Sequence, residues 1–199
     1  TLPGLLSEAG YRTHAVGKLH LQPIMADAAL RYPESVPFWR SGHGADWNGP
    51  YFGYETVDLM IGESLLATQG GHYAAWLAGQ HPEVIPLYQP DAALAGPLTD
   101  LAEAWTASVP DALHYNTWIA DRAIDFLDQS DGPFMMFVSS PDPHHPFSPP
   151  RPWADLFDAT DMPAPDVLPG ELDRMPDYVR ARLSADWIGG ATCKYIWDI

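Results

Sequence analysis

Basic and imidazole side chains follow two short apolar segments of this 199-residue chain. Lys18 and His20 come after "RTHAVG", and His144 and His145 stand in "PDPHHP", after the apolar run "FMMFVSS". An ammonium group and an imidazole donor suit the oxygens of sulfate or phosphate. An imidazole held at a fixed angle suits general acid catalysis, because the proton must reach the leaving oxygen along a defined line. These residues are the first candidates for chemistry.

The surrounding sequence restricts both groups. In an extended stretch, residues two apart point the same way, so we expect Lys18 and His20 to face one anion. The prolines beside the histidine pair fix their own φ angles and favour extended conformations before them, which would hold His144 in place with Asp142 as a candidate to orient it. Two structural interpretations stay open: a solvated lysine beside a hydrogen-bonded histidine, and a rigid turn whose histidines cap backbone groups.

The other histidines give weaker signals. His72 and Tyr73, in "GGHYAAWL", form either the wall of a substrate pocket or an aromatic face that packs against a sheet. A metal site built from His144 and His145 is disfavoured, because adjacent histidines in a proline-bound loop do not easily converge on one ion. Structural or surface roles are expected for His14, His43, His81 and His114.

The elements that must position these residues follow from periodicity. Leucines at helical spacing predict an opening helix capped by Thr1 and ended by Gly10, and "RTHAV" predicts a strand. "NTWIADRAIDFLD" predicts the clearest helix, capped by Asn116 or Thr117, and "FMMFVSS" predicts a strand buried on both faces of a parallel sheet. Residues 22–110 predict a long, mostly irregular insertion with two helical turns in "GGHYAAWLAG".

These elements indicate an α/β fold, in which ligands bind beyond the carboxyl ends of the strands. "GKLH" and "PDPHHP" both fall at such ends. Candidate chemistry and predicted fold therefore agree.

Composition excludes several classes of function. A formal charge of −16 repels nucleic acids and anionic lipid surfaces. The single cysteine, Cys193, excludes an internal disulfide framework and a Cys-rich zinc site. No apolar stretch is long enough to cross a bilayer, and the first residues lack the pattern of a signal peptide. Composition selects neither a cellular compartment nor an oligomeric state.

Two motifs resemble those of the sulfatases, in the alkaline phosphatase superfamily. "TLPGLLSEAGYRTHAVGKLHL" resembles their helix, strand and GK-x-H-L segment, and "GPFMMFVSSPDPHHPFSPPRPW" resembles their strand followed by PH-x-P. The order and spacing match over roughly residues 1–165. "GPYFGYETVDLM" and "GGHYAAWL" are similar to choline-sulfatase-like, arylsulfatase-like and phosphonate monoester hydrolase-like members. The resemblance implies part of a mixed, mostly parallel sheet flanked by helices.

Carried over by position, the resemblance implies that Lys18 and His20 hold the sulfate and that His144 protonates the leaving alcohol. It also implies a formylglycine nucleophile, made from a C/S-x-P-x-R motif, and a divalent cation such as calcium. The chain lacks both signatures: Cys193 reads "CKYI", Ser148 in "SPPRP" misses the motif by one residue, and there is no "DD", "SDHG" or "DNG".

We therefore expect residues 1–199 to be a partial sulfatase catalytic domain, truncated at both ends, with its nucleophile and metal ligands outside this segment. Alone, it should not turn over substrate. The expected substrate is a small-molecule sulfate ester, with no nucleic acid or membrane partner. Two alternatives stay open: a phosphonate or phosphodiester hydrolase on the same scaffold, and a non-catalytic anion-binding or structural domain.

Overall fold

The structure, a computed structural model, describes residues 1–94, 103–158, 161–163 and 168–184. Its helices are α1 (Leu2–Glu8), α2 (Val36–Arg40), α3 (Gly71–Gln80), α4 (Tyr115–Asp128) and α5 (Asp177–Ser184). Its strands are β1 (Arg12–Gly17), β2 (Thr56–Leu59) and β3 (Phe134–Ser139). Short 3-10 turns, such as Pro82–Tyr88, lie between several of these elements. Helices and parallel strands alternate, which confirms the predicted α/β class.

The sheet places the three carboxyl ends side by side. Its strands are parallel and run in the order β2-β1-β3, so β1 is central. Gly17, the last residue of β1, pairs with Leu59 at the end of β2 and with Ser139 at the end of β3. Loops that leave these strands therefore begin at one edge of the sheet, as the sequence analysis required.

Apolar side chains pack on both faces of the central strand. Val16 and Ala15 are fully buried and belong to different clusters, because successive residues of a strand point to opposite faces. Complete burial of a side chain the size of Val16 contributes about 1.5–3 kcal/mol. The cluster on the side of Val16 includes Tyr73, Leu77, Tyr115, Trp118 and Ile119 from α3 and α4. The cluster on the side of Ala15 includes Tyr51, Tyr54, Val57 and Leu59.

The predicted helices form, with one correction. The Thr1 hydroxyl accepts a hydrogen bond from the Gly4 amide at 3.3 Å, and Gly10 has φ +88° just after the helix, so the predicted cap and end of α1 are confirmed. The prediction of Asn116 or Thr117 as the cap of α4 is wrong. His114 caps this helix, because its Nδ1 accepts a hydrogen bond from the Asn116 amide at 3.3 Å.

Strand β2 corrects the interpretation of residues 22–110. This region was predicted to be mostly irregular, yet Thr56–Leu59 pairs with β1 and completes one side of the sheet. The strand is only four residues long, and it follows a segment rich in glycine and tyrosine that gives no clear alternation. The predicted short helix in the same region is present as α3.

Strand β3 corrects the prediction of burial on both faces. Phe134, Phe137 and Val138 are 41%, 44% and 48% exposed. In the described part of the chain, β3 pairs with β1 on one side only, so its apolar side chains lie at the edge of the sheet. An apolar run predicts a strand, whereas its burial depends on which other elements lie beside it.

Within the described ranges, no helix has the length and hydropathy needed to span a bilayer.

Candidate anion-binding site

Side chains from all three strand ends meet at one carboxylate. Lys18 directly follows β1, Glu63 lies in the loop after β2, and His144 lies in the loop after β3. Glu63 Oε2 is 3.4 Å from Lys18 Nζ and 4.0 Å from His144 Nδ1. The structure therefore brings two of the predicted site residues together, with a carboxylate between them that the sequence analysis did not identify.

Gly17 allows Lys18 to leave the sheet at this point. Its φ is +99°, and a Cβ there would lie 1.9 Å from the Ser139 carbonyl oxygen. The Lys18 amide donates a hydrogen bond to the same oxygen at 3.0 Å. A residue with a side chain could not make this approach, because the carbonyl occupies the space of its Cβ. Glycine thus lets the end of β1 lie against the end of β3.

The Lys18–Glu63 pair is partly buried. The lysine side chain is 13% exposed and the glutamate side chain 18% exposed. Water screens such a pair less than it screens a pair on the open surface. The attraction between these two charges is therefore stronger than that of a fully exposed pair.

The His144 ring is oriented by its own loop. Nδ1 lies 2.5 Å from the carbonyl oxygen of His145, so an Nδ1–H group donates to that carbonyl. This contact leaves Nε2 as the nitrogen that can exchange a proton with a ligand. The His145 ring stacks on His144 with centroids 4.4 Å apart, so the two imidazoles lie face to face and do not converge on one point.

Asp142 does not orient His144, which corrects the prediction. Its two carboxylate oxygens accept hydrogen bonds from the Tyr115 hydroxyl at 2.9 Å and from Asn116 Nδ2 at 2.5 Å. Both partners lie in the first turn of α4. Asp142 therefore anchors the loop after β3 to this helix, and its effect on the imidazole is indirect.

A buried pair of hydroxyls ties the same loop to the loop that holds Glu63. Ser148 donates to the Ser64 hydroxyl at 2.8 Å, and both residues are buried. Ser148 was the closest serine match to a nucleophile motif. Its structural partner and its burial show that this serine connects two loops of the site.

His20 lies outside the extended geometry assumed for it. Its φ is +57°, and the residue is exposed. The chain turns after β1 ends at Gly17, so the rule that residues two apart face the same way does not apply to Lys18 and His20. The prediction that His20 binds the same anion as Lys18 rests on the family resemblance alone.

Tyr73 lies in the packed interior, and the neighbouring His72 is partly buried. Nδ1 of His72 accepts from the Leu59 amide at 2.8 Å, and its Nε2 donates to the Trp47 carbonyl at 2.7 Å. Burial lowers the pKa of His72. Tyr73 is fully buried, and its hydroxyl bonds to the hydroxyl of Tyr88 and to a backbone carbonyl. These contacts are those of an aromatic face packed on the sheet, and the role of His72 and Tyr73 in a substrate pocket stays a prediction.

A separate cavity of about 240 Å³ lies between β1, β2 and the last turns of α4. His14 lines it, stacked on Phe126, with its Nδ1 2.9 Å from the Thr56 hydroxyl. Burial lowers the pKa of His14. The cavity lining includes neither Lys18 nor His144, so it is distinct from the predicted site.

Comparison with known proteins identifies the family. The sulfatase family model matches residues 1–196. The chain is 24% identical over 173 residues to an arylsulfatase of Clostridium perfringens, an alignment that covers 83% of this chain and 31% of that protein. No solved structure shows significant similarity to the chain. The chain belongs to the sulfatase family, and it spans about a third of the length of this curated relative.

The family resemblance implies a nucleophile and a divalent cation at the active site. In these ranges, no group of three or more His, Cys, Asp or Glu side chains lies close enough to hold a metal ion. Cys193 lies outside the described residues. The described residues therefore do not fit a metal centre by themselves, and what they form is a Lys18–Glu63 ion pair with the His144 imidazole beside it.

Proposed function

We propose that this chain forms part of the active site of a hydrolase that cleaves the sulfate ester of a small-molecule alcohol. The observation that carries the proposal is the meeting of Lys18 and His144 at adjoining strand ends, in a chain of the sulfatase family. The ends of parallel strands are where α/β enzymes bind their ligands. The site offers a permanent positive charge next to a group that can transfer a proton.

Each residue has a separate role in this proposal. Lys18 neutralises negative charge on the sulfate oxygens, and His20 supplies a second donor from the turn after β1. His144 gives the proton on Nε2 to the oxygen of the departing alcohol while its Nδ1–H stays bonded to the His145 carbonyl. That contact fixes the line along which the proton travels, which is the requirement for an efficient general acid.

The nucleophile and the divalent cation belong, in this proposal, to protein sequence outside these 199 residues. When present, a hydrated formylglycine supplies the attacking oxygen and a cation such as Ca²⁺ supplies positive charge at the sulfate. The limited coverage of the Clostridium perfringens relative supports this division, because 69% of that protein has no counterpart in the aligned part of the chain. We assign no step to the cation from the residues described.

The proposal is tested with the longer protein that contains this segment. We expect it to hydrolyse aryl sulfates, and we expect the 199-residue chain alone not to do so. His144→Ala should lower turnover about 100-fold or more for poor leaving groups and much less for good ones, because only poor leaving groups need the proton. Lys18→Ala should weaken both binding and rate.

His81→Ala is the matched control, since this partly exposed histidine pairs with Glu83 and does not contact the site. It should leave turnover at the wild-type value. Equal losses for good and poor leaving groups in His144→Ala contradict its role as an acid. Absence of sulfatase activity in the longer protein contradicts the proposal and leaves the two alternatives, a phosphonate or phosphodiester hydrolase and a non-catalytic domain.

A further inference from the structure

Glu63 brings a negative charge into the group of side chains proposed to bind a sulfate ester. Its Oε2 lies 3.4 Å from Lys18 Nζ and 4.0 Å from His144 Nδ1. At these distances the carboxylate offsets the charge of the ammonium group before any substrate binds. An incoming anion therefore meets one attractive and one repulsive charge within the same few ångströms.

The backbone holds Glu63 at this position from both sides. Its carbonyl accepts hydrogen bonds from the Leu66 and Ala67 amides at 2.7 and 2.8 Å. The next residue, Ser64, is buried and bonded to Ser148 in the loop after β3. The backbone of Glu63 is thus fixed by these hydrogen bonds. The side chain of Glu63 is only 18% exposed, which restricts movement of its carboxylate toward solvent.

A fixed carboxylate repels a bound anion in proportion to the charge of that anion. A sulfate monoester carries one negative charge, whereas a phosphate monoester carries two above its second pKa of about 6. The carboxylate opposes the phosphate ester twice as strongly as the sulfate ester. We propose that Glu63 is a specificity-determining residue that favours monoanionic over dianionic ester substrates. This inference rests on the proposed function, because it takes Lys18 and His144 as the anion site.

The test compares methyl sulfate with methyl phosphate at about pH 8, where the phosphate ester is a dianion. NMR titration of the longer protein that contains this segment follows the His144 ring signals in the wild type, Glu63→Gln and Glu83→Gln. We expect Glu63→Gln to bind methyl sulfate about threefold more tightly and methyl phosphate about tenfold more tightly, since the effect of one charge in a partly exposed pair is squared for a dianion.

Glu83→Gln makes the same change in net charge at a side chain that is 69% exposed, so both affinities should stay at wild-type values. An unchanged ratio of the two affinities in Glu63→Gln overturns the inference and leaves the proposed anion site standing. A His144 signal that responds to neither anion in any variant overturns the anion site, and the inference with it.

Two further variants keep the test decisive if Glu63→Gln does not fold. Glu63→Ala removes the charge without adding an amide and should shift the ratio in the same direction. Glu63→Asp keeps the charge and should retain a ratio close to that of the wild type. A shift toward the dianion in Glu63→Asp as large as that in Glu63→Gln, or a shift away from it in Glu63→Ala, contradicts an electrostatic role.

Discussion

Gly17 determines, at the scale of single residues, whether Lys18 can leave the sheet where it does. Its backbone has φ +99° and lies against the Ser139 carbonyl, so both its conformation and the space beside it exclude a side chain. Gly10 has a similar φ of +88° but has no atom within 4 Å of a Cβ position. Substitutions at the two glycines therefore separate the effect of backbone conformation on stability from the effect of a direct clash.

We expect Gly10→Ala to lower the free energy of unfolding by about 1 kcal/mol, the value for a left-handed backbone alone. Gly17→Ala should lower it by about 3 kcal/mol or more, because a clash with backbone is added to the same strain. Urea unfolding followed by circular dichroism measures both. Equal losses in the two variants would show that β1 and β3 are not held as closely as the structure indicates.

Helix α4 sets the geometry of the site at the scale of elements. Its first turn binds Asp142, and through this carboxylate it positions the loop that carries His144. The helix begins with His114, which is 3% exposed, and burial lowers the pKa of this histidine to about 4 despite attraction by Asp142 and Asp111. Its Nε2 is buried and has no hydrogen-bond partner among the residues that the structure describes. The start of α4 therefore depends on a neutral imidazole.

This cap predicts a pH dependence of stability. The pKa of His114 is about 4 in the folded protein and 6.5 in the unfolded chain, so between these values the unfolded chain binds more protons. Stability should therefore fall as the pH drops from about 6.5 to 4, by up to about 3 kcal/mol from this group. The lowered pKa values of His14 and His72 act in the same direction.

His114→Asn isolates this contribution, because asparagine also caps helices but does not titrate in this range. The slope of unfolding free energy against pH should be shallower in the variant, whatever its absolute stability. Chemical denaturation at a series of pH values measures both slopes. Parallel pH profiles would contradict the assignment to His114.

At the scale of the whole molecule, the described part of the chain has an apolar sheet edge at β3. Phe134, Phe137 and Val138 remain 41–48% exposed in the described part of the chain. An exposed apolar edge strand can pair with other chains unless charge or another segment covers it. The net charge of −16 opposes association in general but does not protect this edge specifically.

We expect the 199-residue chain to self-associate at high concentration and Val138→Lys to reduce that association. A lysine at an edge strand discourages strand pairing. Met25→Lys is the matched control, since Met25 is 65% exposed, lies outside the sheet and gives the same change in charge. Sedimentation velocity measures the effect. An equal reduction in both variants would assign the association to net charge and not to β3.

Much of the fold could be predicted because it depends on local patterns. Helical spacing and end signals predict α1 and most of α4, and short apolar runs predict β1 and β3. β2 was missed because four residues are too few to show alternation. The burial of β3 was wrong because burial is a property of neighbours and not of the run itself. His114 was missed as a cap because histidine is not among the residues that usually cap helices.

The sequence by itself determined which residues could do chemistry and on which strand ends they stand. Lys18 and His144 could be identified from the sequence because residue type gives their charge and proton chemistry. Their immediate neighbours along the chain give the local backbone restraints. Only the tertiary structure decided that Glu63 joins them, since it lies 45 residues from Lys18 and meets it only when β2 pairs with β1. Contacts between distant residues depend on strand order and register, which no local pattern in this chain specifies.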